Sequence, residues 1–153
     1  MKKSCLLLML ILLFLTEVPF QLAAQWQEQT SPTNEPLYTV SVVDNSVAWI
    51  GGHAGTVLKT TDGGSTWTSA GGIAISNNGY NIFGIDDQTA LCSAPNISPS
   101  GGAYVFKTTN GGASWSMVFT KTGGSVDAIW MYNATDGFMY GSPLNSAWQG
   151  EKF

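Results

Sequence analysis

The sequence contains no arginine; all six basic residues are lysines, and charged residues make up only 10% of the 153. Ordinary globular chains carry about 25%. Ten carboxylates against six lysines leave a net charge of −4. An acidic surface without arginine is a poor match for phosphate backbones, so nucleic acid is excluded as a partner. Histidine and cysteine are almost as scarce. His53 stands alone in Gly51-Gly52-His53-Ala54-Gly55, with no second histidine or thiolate pair to make a metal site. That glycine-rich stretch reads as a tight turn, since a phosphate loop would open a helix. Of the two cysteines, Cys5 lies in an apolar leader and Cys92 would be alone after its removal, which excludes an intramolecular disulfide framework. Cys92 ends the short apolar run Thr89–Cys92 and reads as a buried, inert thiol.

Long apolar runs are also absent beyond the first residues. Lys2 and Lys3 precede eleven apolar residues, Cys5–Leu15, and Leu22-Ala23-Ala24 supplies small residues before Gln25. Eleven residues at 1.5 Å each reach about 16 Å, roughly half a hydrocarbon core. Residues 1–24 therefore read as a secretory signal peptide cleaved near Ala24, leaving no stable membrane span. No lipid-attachment cysteine follows the run. The expected mature chain, 25–153, is secreted or periplasmic and carries four lysines against nine carboxylates, a net of −5.

What the chain does have is glycine, 18 of 153 residues, and aromatics, 12%. This excludes a charged disordered chain and a heptad coiled coil. No sustained 3.6-residue period occurs outside the leader, and short strand-like runs alternate with turn signals. Two stretches repeat without gaps: Val57-Leu58-Lys59-Thr60-Thr61-Asp62-Gly63-Gly64-Ser65-Thr66-Trp67-Thr68 and Val105-Phe106-Lys107-Thr108-Thr109-Asn110-Gly111-Gly112-Ala113-Ser114-Trp115-Ser116. Seven of the twelve positions are identical, at an offset of 48 residues. A period of 40–50 residues is the mark of propeller blades. The flanks repeat more loosely: Tyr38–Val43, Asn81–Ile85 and Val126–Met131 read as first strands, and Val47–Gly51, Thr89–Cys92 and Gly137–Gly141 as second strands. The units run over about 38–69, 80–119 and 126–153, each strand, turn, strand, loop, strand, Asx-Gly-Gly turn, strand. The expected fold is an all-β propeller of four-stranded antiparallel blades.

The repeated turn has a physical logic. An Asx residue before Gly-Gly accepts from amides just downstream, and glycine supplies positive φ without a Cβ clash. Thr60, Asp62, Gly64, Thr66 and Trp67 resemble the Asp-box, or BNR, repeat, whose pattern is Ser/Thr-x-Asp-x-Gly-x-Ser/Thr-Trp. Thr108, Asn110, Gly112, Ser114 and Trp115 form a second copy, with Asn110 in place of the aspartate. Over about residues 26–153 the chain is similar to the secreted propellers grouped with photosystem II assembly factors, in a superfamily shared with sialidases. The resemblance implies that the box is a structural turn on the outer part of each blade, that Asp62 is neither catalytic nor metal-binding, and that no cofactor is required. The 129 mature residues make about 2.7 units of 48, fewer than the usual four to eight blades. The expectation is an N-terminal fragment of a longer protein, or a chain whose copies assemble into a ring.

The chemistry available is sparse. Sialidases of this superfamily are expected to hold a carboxylate with arginines, which this chain lacks. A xyloglucanase-type glycosidase needs two carboxylates flanking one sugar. Asp86, Asp87, Asp127 and Asp136 are the candidates, and Asp86-Asp87 falls at a strand–turn junction. Asn96-Ile97-Ser98 and Asn133-Ala134-Thr135 match the N-glycosylation acceptor pattern. Residues 93–102, rich in Pro, Ser and Gly, read as a lengthened inter-strand loop of the sort on which binding surfaces are built. The leading expectation is a non-catalytic secreted propeller binding a partner protein or glycan. The rival is a fragment of a secreted glycoside hydrolase.

Overall fold

The computed structural model describes residues 26–73, 81–95, 102–142 and 151–152. The predicted signal peptide, the Asn96-Ile97-Ser98 acceptor and most of the long loop lie outside them. The fold is an incomplete all-β propeller of antiparallel sheets. β1 (Leu37–Val42), β2 (Ala48–Gly52), β3 (Thr56–Thr60) and β4 (Thr68–Gly72) form the first blade, in that order. β5 (Asn81–Gly84), β6 (Ala90–Pro95), β7 (Ala103–Thr108) and β8 (Ser116–Lys121) form the second. β9 (Ala128–Met131), β10 (Gly137–Tyr140) and β11 (Glu151–Lys152) form a third sheet of three described strands.

Strand alternation decides which side chains meet between blades. Trp49 and Val57 of the first blade point toward the second and meet Ile82, Ala90 and Cys92; Phe106 and Trp115 pack at the edge of this layer. Leu91 and Val105 point the other way and meet Ile129, Met131 and Met139 of the third blade. Each blade is thus a sheet with two apolar faces, and the core lies between blades. β5 packs against both β1 and β9, so the first strands of the three blades run together on the inner side. The Asx-Gly-Gly turns join the third strand to the fourth, away from that side.

The long-loop reading needs correction. β6 continues to Pro95 and β7 begins at Ala103, with Ser93 opposite Val105, Ala94 opposite Tyr104 and Pro95 opposite Ala103. Part of the extra length extends the ladder, because Ala94, Ala103 and Val105 are buried apolar residues that gain more from burial than from exposure.

Lysine side chains tie the blades together. Lys59 on β3 donates to the Asp87 carbonyl across the first interface, at 2.8 Å, and its ammonium lies 5.1 Å from the Trp49 ring centroid. Lys107, its repeat equivalent on β7, donates to the Ala134 carbonyl across the second, at 3.3 Å. Trp49 is fully buried, and its indole Nε1 donates to the Asp86 carbonyl at 2.9 Å. Trp49→Ala should therefore destabilise the fold by about 3–5 kcal/mol, as a large core truncation. Urea unfolding followed by far-UV circular dichroism measures this; a cost near that of an exposed substitution would contradict the inter-blade core.

Candidate functional site

The two repeated turns are built alike. Thr60, nearly fully buried, accepts the Gly64 amide at 2.9 Å through Oγ1 and donates to Asp62 Oδ1 at 2.8 Å. Asp62 also accepts the Thr66 amide at 2.9 Å and the Thr66 hydroxyl at 2.6 Å. In the second turn Thr108 Oγ1 accepts the Gly112 amide at 3.0 Å and donates to Asn110 Oδ1 at 3.0 Å. Asn110 accepts the Ser114 amide at 3.0 Å, and its Nδ2 donates to the Ser114 hydroxyl at 2.9 Å. The asparagine keeps the acceptor and reverses the polarity of one hydroxyl contact. Gly64 and Gly112 hold φ of +88° and +90°. A Cβ at Gly112 would collide with the Ala70 carbonyl of the neighbouring blade, and one at Gly64 with Gln29 Oε1. Trp115 Nε1 donates to that Ala70 carbonyl at 3.0 Å, and Trp67 Nε1 donates to Gln29 Oε1 at 3.2 Å. Both indoles are half-buried. Trp115 also meets Trp49 edge-on, with centroids 6.2 Å apart.

The carboxylate candidates for hydrolysis are also engaged in turns. Asp86 Oδ1 accepts the Gln88 and Thr89 amides at 2.8 and 2.6 Å. Asp44 does the same with Ser46 and Val47, at 2.7 and 2.8 Å, and Asn133 with Thr135 and Asp136, at 2.8 Å each. Asp44, Asp86 and Asn133 are therefore equivalent turn residues between the first and second strands of each blade. An asparagine serves in one of them, so the position needs an acceptor and not a charge. Asp87 accepts from Gln88 Nε2, and Asp127 from the Ser125 and Ser142 hydroxyls. Asp136 Oδ2 accepts from the Thr135 hydroxyl. His53 sits in a short 3-10 turn, and its Nδ1 lies 2.7 Å from Glu35 Oε2. Among the described residues no three His, Cys, Asp or Glu side chains cluster as metal ligands. Burial pushes the Cys92 thiol up to about 12, which suppresses the reactive thiolate.

The site that sequence reasoning missed lies where the first strands converge. Val40, Ser41 and Val42 of β1, Asn81, Ile82 and Phe83 of β5, and Ala128, Ile129 and Trp130 of β9 line a groove of about 420 Å³. A second hollow of about 270 Å³ continues past Val42 and Phe83 to Tyr132 and Asn133. Ser41 Oγ accepts the Gly84 amide at 3.0 Å, and Asn81 Oδ1 accepts the Ile129 amide at 3.1 Å. These two polar side chains hold neighbouring blades together at the groove floor. Phe83 packs edge-on against Trp130, with centroids 5.6 Å apart, and Val40, Val42 and Trp130 are more than half exposed. The nine residues lining the larger groove include no acid, histidine or lysine. It can bury apolar groups of a ligand, and its polar lining groups, Ser41, Asn81 and the Trp130 indole, are not ionisable near neutral pH.

A profile of the family described as Photosynthesis system II assembly factor YCF48 matches residues 18–120. The chain belongs to this family. Two solved structures share its fold. YCF48 from Cyanidioschyzon merolae is 24% identical, with a TM-score of 0.58 over 84% of this chain and 40% of that one. The structure titled "YCF48 bound to D1 peptide" is 22% identical, with a TM-score of 0.56 over 78% of this chain and 42% of that one. The chain thus spans about two fifths of the length of these family structures. No curated protein matches it.

The turn chemistry has a pH signature. The Thr66 hydroxyl, followed by the Thr66 amide and the Thr60 hydroxyl, lowers the Asp62 carboxyl from 3.8 to about 2. A carboxylate depressed in the folded state contributes stability that is present above its unfolded value and lost as pH falls through its folded value. The Asp62 contribution therefore disappears between about pH 4 and pH 2. Asp62→Asn, which copies the second turn, should fold at neutral pH and show a shallower loss of denaturation midpoint across that window. An unchanged acid profile would show that the Asp62 bonds do not persist in solution.

Proposed function

We propose that this chain is a non-catalytic propeller module that binds a protein partner, taking an extended apolar segment along the groove between its first strands. The observation that carries this is the lining: exposed valines and aromatic rings on a rigid floor, without an ionisable group in the larger groove. Binding sites of this type gain affinity from apolar burial and orientation from a few fixed polar groups. A family structure titled as bound to a D1 peptide supports a peptide as the class of ligand. The glycoside hydrolase alternative is less well supported, because Asp86, Asp87, Asp127 and Asp136 each accept bonds within a local turn. A glycan is the competing ligand, since an exposed tryptophan ring also suits a sugar face.

Selection of displayed random peptides on the purified chain, with binders measured by calorimetry, tests this reading. Apolar peptides should be recovered, and Phe83→Ala should weaken them about tenfold, as loss of a central aromatic contact does. Recovery of none, binding indifferent to Phe83→Ala, or preferential capture on a glycan array would refute it. Turnover of sialosides or β-glucans, abolished in a folded variant lacking Asp86, Asp87, Asp127 and Asp136, would establish the hydrolase instead.

Export belongs to the same proposal and rests on the basic, apolar and small-residue order of residues 1–24. N-terminal sequencing of the chain expressed with its own leader should start at Gln25; full-length material retained in a membrane would count against export.

A further inference from the structure

The two repeated turns differ at one position with its own reactivity. Each uses an Asx residue to accept turn amides, followed by two glycines. Gly63 and Gly111 hold φ of +70° and +67°, where a side chain is strained. A Cβ at Gly111 would also stand 2.9 Å from Lys59 Nζ, the ammonium that anchors the first blade to the second. Turn and interface together fix glycine after the Asx residue. In the first turn the pair is Asp62-Gly63; in the second it is Asn110-Gly111. Among the described residues Asn110 is the one asparagine followed by glycine; Asn34, Asn45, Asn81 and Asn133 precede Glu35, Ser46, Ile82 and Ala134.

An asparagine before glycine is open to intramolecular attack. The glycine amide nitrogen, with no Cβ beside it to obstruct the approach, loses its proton and adds to the asparagine Cγ. A C–N bond forms, the Cγ–Nδ2 bond breaks, and ammonia leaves carrying the proton. The succinimide takes up water at one of its two carbonyls and opens to aspartate or isoaspartate. An aspartate is ionised near neutral pH, and a carboxylate is a poor electrophile, so the first turn resists the same attack.

The fold withholds both reacting groups of the second turn. The Gly111 amide donates to the Gln88 carbonyl at 2.9 Å, so its proton is engaged. Asn110 Oδ1 accepts the Thr108 hydroxyl and the Ser114 amide, each at 3.0 Å, and Nδ2 donates to the Ser114 hydroxyl at 2.9 Å. Asn110 itself is exposed, so bonding and not burial protects it. Breaking these bonds is a local opening of the kind that governs amide hydrogen exchange. The aspartate product has a place prepared for it. Asp62 accepts the same two donors in the first turn and takes the Thr66 hydroxyl besides. Ser114 needs only to rotate its hydroxyl from acceptor to donor.

We propose that Asn110 is a hydrolytic modification site gated by the turn between β7 and β8. The folded blade guards the amide, and an opened blade converts it to the aspartate that the first turn already carries. The converted turn gains one negative charge and the carboxylate–hydroxyl contact of the first. Neither Asn110 nor Gly111 lines the groove between the first strands, so the site and the ligand reading stand or fall separately.

Peptide mapping by mass spectrometry tests this, on the purified chain incubated in mildly alkaline buffer with and without guanidinium chloride. Cleavage after Lys107 and Lys121 isolates Asn110 from Asn78-Gly79, a pair outside the described residues. Asn110 should convert at least about tenfold more slowly in the folded chain than in denaturant, as a local opening equilibrium requires. Ser114→Ala removes one guarding bond at an exposed residue. It should leave the circular dichroism spectrum unchanged and speed conversion in the folded chain about fivefold, the weight of one hydrogen bond. Asn110→Asp should fold with the parent spectrum. Equal rates with and without denaturant, no conversion in either, a folded rate indifferent to Ser114→Ala, or an unfolded Asn110→Asp would overturn the proposal.

Discussion

Every blade depends on a neighbour. A four-stranded sheet with apolar side chains on both faces cannot bury them by itself, and repeat folds meet that need by stacking. Here Trp49, Val57 and Ala70 are buried only because Ile82, Ala90 and Cys92 stand opposite them. Apolar stacking alone would leave the blades free to slide. Lys59 and Trp49 fix the register by donating to adjacent carbonyls, those of Asp87 and Asp86, in the next blade's turn. Those carbonyls point toward the neighbour because Asp86 accepts the Gln88 and Thr89 amides and holds the turn. Burial raises the Asp86 carboxyl, but the bonds from those amides outweigh it and its net shift is downward. The tight turn and the inter-blade anchor are one device.

The repeated turns were legible because the threonine and Asx side chains at their centre find their partners within a few residues. Thr60, Asp62, Gly64 and Thr66 satisfy one another, so residue type and spacing carry the whole arrangement. The roles of Lys59 and Lys107 were hidden, although both stand in the repeated stretch, because their acceptors are main-chain carbonyls that leave no trace in side-chain identity. The equivalence of Asp44, Asp86 and Asn133 was obscured by unequal spacing and by the change from acid to amide. Asp86 and Asp87, candidates for catalysis on sequence alone, are engaged in turn bonds in the structure. The groove was the least legible feature. Val40, Val42, Phe83 and Trp130 are ordinary strand residues, and their convergence depends on how three sheets pack.

The fold divides its chemistry between turns and strand faces. Asp62 and Asn110 between third and fourth strands, and Asp44, Asp86 and Asn133 between first and second, supply the acceptors that turn amides need. The faces of the first strands, where the three sheets meet, carry Val40, Val42, Phe83 and Trp130. Asp86, Asp87, Asp127 and Asp136 each accept local bonds, and none of them lines the groove between the first strands.

Gln29 shows how such a fold can hold an open face without sealing it. At the interior interface the acceptor for the tryptophan is a backbone carbonyl, anchored in a sheet ladder. At the first blade it is a side-chain carbonyl on a segment that forms no ladder. A long amide side chain makes the same bond with more rotational freedom, so each bond orders more torsions and holds less firmly. Releasing the segment breaks no strand pairing among the described residues and leaves one indole donor to solvent.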